Sequence, residues 1–129
     1  MARKPSAQPT EVELEILHVL WTQGPCVLGD IHRILAAQRN TAYSSTRKMV
    51  QVMCEKGILL ANDSVRPQQY RAALSREKTQ KGLLNDLAAR VFGGSTQKLV
   101  LSALSNEQLS SEELGEIQKL IKGAKEKTK

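Results

Sequence analysis

The hydrophobic period of this 129-residue chain changes abruptly after Gly57, and that change limits the folds open to it. Before Gly57, apolar residues recur at helical spacing in short, separated segments. After it, Ile58-Leu59-Leu60-Ala61 is too short for a helix before the turn signal Asn62-Asp63-Ser64. Val65 to Ala73 holds Pro67 and then Gln68-Gln69-Tyr70-Arg71-Ala72. This spacing predicts two strands joined by a loop of about six residues.

The helices on the amino-terminal side have defined ends. Thr10 can cap a helix and Glu13 can close a capping box. Val12, Leu14, Ile16, Leu17, Val19, Leu20 and Trp21 then give a wide apolar face, which Gly24-Pro25 ends. A second helix is expected over Leu28 to Gln38, with Leu28, Ile31, Ile34 and Leu35 at helical spacing. After Arg39-Asn40-Thr41, a third runs from near Ser44 (or Tyr43) to Lys56, with Gly57 placed to turn left-handed. Three short helices followed by a hairpin is the order of a winged helix-turn-helix, here over 9–74.

A second helical region follows over 75–123. Ser75 caps a stretch reaching about Phe92, Gly93-Gly94-Ser95 breaks it, and Leu99, Val100, Leu101 and Leu104 continue in another helix. Ser110-Ser111-Glu112-Glu113 is a further capping box, opening a helix with Leu114, Ile117, Leu120 and Ile121. The fold class expected is therefore mainly α with a small β hairpin, a winged helix-turn-helix domain followed by a helical dimerisation domain. Residues 1–8 read as a disordered lead-in and 124–129 as a basic tail.

Nineteen basic and 13 acidic side chains give a net charge of +6, which favours a polyanionic partner. No apolar run approaches the roughly 20 residues that cross a bilayer. The start, MARKPSAQPTE, lacks the apolar stretch of a signal peptide, so a cytoplasmic chain without a membrane partner is expected. Cys26 and Cys54 have no CxxC spacing and read as small hydrophobes; His18 and His32 have no metal-ligand pattern. No cofactor, no metal and no enzymatic chemistry are expected, since no phosphate loop, nucleophile elbow or catalytic carboxylate pair appears.

Ile31 to Cys54 contains Arg33, Arg39, Arg47 and Lys48 and no acidic side chain. At about 100° per residue, Thr46, Val50 and Met53 form the inward stripe of the third helix, with Met49 beside it. Ser44, Ser45, Lys48 and Gln51 fall outside, with Arg47 at the edge. Hydroxyls, an amide and cations without carboxylates suit the major groove of double-stranded DNA, where they meet base edges and phosphates. Arg66 near the hairpin tip and Arg71 on the returning strand are candidates for backbone or minor-groove contact. A winged helix that serves protein interaction without touching DNA is the alternative. Beyond residue 75, Leu83, Leu87, Val91, Leu99, Leu101, Leu104, Leu114, Ile117, Leu120 and Ile121 are too many large aliphatics for so few helices to bury alone. Pairing with a second copy would cover them.

Several stretches resemble the penicillinase-repressor family: PTEVELEILHVLW at 9–21, AYSSTRKMVQVMCEKGIL at 42–59, QQYRAALSRE at 68–77, LLNDLAARVFGGSTQKLVLSAL at 83–104 and LSSEELGEIQKLI at 109–121. The resemblance implies a homodimer that represses transcription from a palindromic operator, its third helix in the major groove through Ser44, Ser45, Arg47, Lys48 and Gln51. Family members under a sensor protease are cut at an Asn-Phe pair after the Leu-Val-Leu. Ser102-Ala103 stands there instead, so such a partner is left open. The copper branch's carboxy-terminal cysteine cluster is absent, and copper sensing is not expected. Arg47, Lys48 and Val52 depart from the family's pattern, which implies a different operator sequence.

Overall fold

A computed structural model of the chain describes residues 8–106 and 108–127. The lead-in expected over 1–8 lies outside the described residues except for Gln8. The chain forms two compact units, one ending at Leu83 and the other beginning at Leu84.

In the amino-terminal unit, α1 (Glu11–Gln23) starts on the expected capping box. The Thr10 hydroxyl accepts from the Glu13 amide at 3.3 Å, and the Glu13 carboxylate accepts from the Thr10 amide at 2.8 Å. Gly24, at φ +84°, ends the helix in a conformation that side chains with a Cβ avoid. Next come β1 (Cys26–Val27), α2 (Leu28–Gln38), α3 (Tyr43–Glu55), β2 (Leu59–Asn62) and β3 (Gln69–Ala72). Helix α3 begins and ends one residue earlier than Ser44 to Lys56, because Ala42 holds the extended N-cap backbone and Lys56 is the C-cap. Gly57, at φ +79°, makes the turn that follows.

The hairpin is part of a three-stranded antiparallel sheet in the order β1-β3-β2. Leu59 pairs with Ala72 and Asn62 with Gln69, leaving residues 63–68 as the loop. Strand β1 adds Cys26 opposite Tyr70 and Val27 opposite Gln69. Two residues are too few to display a period, so this strand extends the expected hairpin.

Helices α1, α2 and α3 and strand β2 close on one aliphatic core. Ile16, Leu17 and Leu20, Ile31 and Leu35, Val50 and Met53, and Leu59 are each at most 3% exposed. Two polar groups lie within it. Thr46 Oγ1 is 2.9 Å from His32 Nδ1, tying α3 to α2. Glu13, 1% exposed, meets the Lys56 ammonium at 2.9 Å, tying α1 to the end of α3. Burial pushes the Glu13 carboxyl up, but the Thr10 amide and the Lys56 ammonium outweigh it and hold the group below its ordinary value. Helix α4 (Arg76–Val91) starts in this unit, where Ser75 Oγ accepts from the Lys78 amide at 3.1 Å. The turn before it is pinned by Trp21, whose indole N–H donates to the Leu74 carbonyl at 3.1 Å.

The carboxy-terminal unit holds the end of α4, then α5 (Thr96–Asn106) and α6 (Ser111–Lys127). Gly93 and Gly94, at φ +59° and +86°, break α4, and the Gly94 amide donates to the Ala88 carbonyl at 2.8 Å. Ser95 caps α5 through the Lys98 amide, and Ser110 and Glu113 form the second expected capping box at 3.1 and 3.0 Å. Helix α6 continues through Ala124 to Lys127 rather than stopping before the basic tail, its last turn carrying Lys125 and Lys127 where the helix dipole favours cations.

Candidate nucleic-acid interface

The face of α3 that turns away from the core is built by that core. Thr46, Val50 and Met53 are at most 1% exposed, which fixes the rotation of the helix about its axis. With that stripe inward, Tyr43, Arg47, Gln51, Ser44, Lys48 and Ser45 follow one another around the outer arc, and all six are exposed. The first turn holds no acidic residue, and Ala42 offers no side-chain cap, so its leading amides stay open to an anion. The arc ends at Glu55, exposed and roughly 16 Å along the axis from Ser44.

Charge pairing separates the cations. Arg33 lies 3.6 Å from Asp30, and Arg39 bonds Glu15, so carboxylates on α1 and α2 offset both. Among the described residues Arg47, Lys48, Arg66 and Arg71 make no ion pair, and their charge is directed at solvent.

The hairpin loop approaches one side of α3. Arg47 and Gln51 share a furrow with Leu28, Gln68 and Tyr70. The loop is held by its own polar groups. Asn62 Oδ1 accepts from the Ser64 amide at 3.0 Å, and the Gln68 carboxamide donates to Asp63. Tyr70 donates its hydroxyl to Gln68 Oε1 at 2.9 Å, and burial raises its pKa, with nearby Cys54 adding to the shift, so it stays protonated. Arg66 is exposed in the same loop. Arg71 is not gathered with this group: the two-residue period of β3 sends it to the sheet face opposite Tyr70.

Two contributors were not legible in the sequence. Tyr43, 49% exposed, stands at the first position of α3 with its ring edge-on to His32, 5.3 Å between centroids. His32 thus braces both Thr46 and Tyr43, a role that needs α2 and α3 side by side. Cys26 is buried and donates to the Gly24 carbonyl at 3.3 Å, Cys54 is half-buried, and burial raises both thiols. No cluster of metal-ligating side chains occurs among the described residues. No helix among them is long and apolar enough to cross a membrane.

The family model of penicillinase repressors matches residues 9–123, nearly the whole described chain. The chain belongs to the penicillinase repressor family. The penicillinase repressor of Bacillus licheniformis is 22% identical over 122 residues, covering 95% of each chain. The match spans both compact units, so the α3 face and the helices beyond Leu84 both fall inside the penicillinase repressor pattern. That family is one of transcriptional repressors rather than a class of enzymes.

Proposed function

We propose that this chain is a DNA-binding transcriptional repressor that acts as a homodimer on a palindromic operator. In this reading residues 9–74 are the DNA-binding winged-helix domain and 75–123 the pairing domain. The observation that carries it is the outer arc of α3: hydroxyls, an amide and two cations, exposed and without ion pairs among the described residues, with its single carboxylate, Glu55, set at the far end of the helix. Ser44, Ser45 and Gln51 can bond base edges, while Arg47 and Lys48 reach guanine or phosphate. Arg66 lies beside the backbone and adds affinity more than sequence preference. Arg71, on the far sheet face, contributes little.

Pairing is supported by the carboxy-terminal unit. Leu87, Val91, Leu101, Leu114 and Ile121 are each 44–65% exposed in the single chain, and Leu120 is 74% exposed. Leu104 sits at 36%, and Leu83, Leu99 and Ile117 are half-buried. A second copy would cover these side chains, and its two-fold axis would set half-sites about one helical turn of DNA apart, or a multiple of it. Ser102-Ala103 lies within α5, and no protease partner is needed for this reading.

Binding of the full chain to genomic fragments, followed at two or more salt concentrations, tests the proposal. The logarithmic salt slope should be about −0.9 per phosphate neutralised. Lys48→Ala should reduce that slope by about one, and Arg47→Ala should cost about 1–3 kcal/mol if it reads a base. Leu87→Asp should weaken self-association and operator binding together. Salt-independent association, or operator binding unchanged in Arg47→Ala and Lys48→Ala alike, would reject α3 as the reading element.

A further inference from the structure

The DNA reading leaves unused a cleft of about 220 Å³ in the amino-terminal unit, where α1, the end of α3 and the start of α4 meet. Its apolar wall includes Leu17, Ile58 and Leu74, and its polar side is made by Gln8, Lys56, Lys78 and Thr79. Among the described residues no carboxylate lines it, although Glu13 reaches Lys56 from the core at 2.9 Å. Thr79 is only 7% exposed. Its hydroxyl makes no hydrogen bond with the described residues, yet the oxygen is not sealed from solvent, so its open edge gives onto the cleft. That hydroxyl is open to water, and a ligand oxygen can take the water's place as its partner. Lys78 makes no ion pair among the described residues.

We propose that this cleft binds a small organic acid. Its carboxylate is held by the Lys78 ammonium and the Thr79 hydroxyl, and its apolar body lies against Leu17, Ile58 and Leu74. A volume below the ~300–1,000 Å³ of sites that enclose drug-sized molecules restricts the occupant to a compact aliphatic or aromatic acid. The chemistry is selective because the unpaired Lys78 ammonium and a donor hydroxyl, beside a Lys56 already paired with Glu13, face an apolar wall: a neutral analogue keeps the burial and loses the charge-assisted bond. Lys56 is at once a wall of the cleft, the partner of Glu13 and the C-cap of α3, so the site adjoins the helix that carries the outer arc.

The chain supplies its own reporter. Trp21 is the single tryptophan, and its indole N–H bonds the carbonyl of Leu74, a residue of the cleft wall. Titration of the full chain with benzoate and with hexanoate should shift the indole resonance and the Lys78 and Thr79 amides saturably, with Kd on the order of 0.1–1 mM. Benzamide and hexanamide should bind about tenfold more weakly, and Lys78→Gln and Thr79→Val should each weaken acid binding several-fold. Lys78 is exposed, so Lys78→Gln tests the site even if Thr79→Val fails to fold. Absence of a saturable shift with both acids overturns the proposal. So does equal binding of acid and amide, or acid binding indifferent to Lys78→Gln.

Discussion

The two compact units spend their aliphatic side chains in opposite ways. The unit ending at Leu83 encloses Ile16, Leu17, Leu20, Ile31, Leu35, Val50, Met53 and Leu59 almost completely. Beyond Leu84, Ala88 is the one apolar residue buried among those described, while leucines and an isoleucine stay in water. Both halves have well-made helix ends, with capping boxes at Thr10 and at Ser110. Local signals therefore specify helices equally well in each, and only the first converts them into its own core. Secondary structure and tertiary independence are separate properties of a sequence, and the second unit needs something further to cover its apolar faces.

The largest effect expected from this contrast is a core truncation. Ile31, 0% exposed, lies on α2 in the core shared with α1 and α3, and Ile31→Ala should cost about 2–5 kcal/mol through lost burial and the cavity left behind. Leu120→Ala removes a side chain that is 74% exposed in the single chain. It should alter stability measurably only where copies pair, so that its effect grows with protein concentration. Denaturant melts at several concentrations separate the cases. A concentration-independent loss from Leu120→Ala matching that of Ile31→Ala would erase the distinction between the units.

Next in size is the Glu13–Lys56 pair, which ties two helices of the enclosed core. Lys56→Met strands a carboxylate that is 1% exposed, at a cost of about 3 kcal/mol; the lower end of the range applies because the Lys56 side chain keeps 27% of its exposure. Glu13→Gln with Lys56→Met should recover most of that loss, since neither charge is then orphaned. The pH dependence has a definite sign. The folded carboxyl titrates below its ordinary value, so the pair's contribution is fully present above that ordinary value and is lost as pH falls through the lower folded one. The stability gap between the wild-type chain and Glu13→Gln should close on acidification. A gap that widens in acid would mean that the carboxyl is held protonated in the fold.

How far the sequence reveals all this depends on the range of each interaction. Both capping boxes, the ends of α1 and α2, and the inward stripe Thr46, Val50 and Met53 follow from spacing within one helix, and were legible. So was the exposed arc of α3, because fixing three inward residues fixes the rest. Strand β1 was not, since two residues carry no period and its partner Tyr70 lies more than forty positions away. The bond between Glu13 and Lys56 spans 43 positions, and no local pattern announces it. The His32 brace on Tyr43 and the cleft that joins Leu17 to Thr79 belong to the same class. They arise from helices meeting, which hydrophobic periodicity allows without stating the register.

The smallest expected effect compares like with like. Thr10 and Ser110 cap their helices by the same reciprocal bonds, at 3.3 and 2.8 Å in one case and 3.1 and 3.0 Å in the other. Thr10→Ala should cost about 1 kcal/mol of global stability, because α1 is welded into the core and its first turn cannot fray without exposing Glu13. Ser110→Ala deletes an equivalent bond on an exposed helix start, where fraying uncovers nothing that the single chain had buried. Its loss should appear as faster amide exchange in the first turn of α6, with the melting of the amino-terminal core unmoved. Equal shifts in that core transition from both substitutions would show that α6 and the enclosed core unfold as one cooperative body.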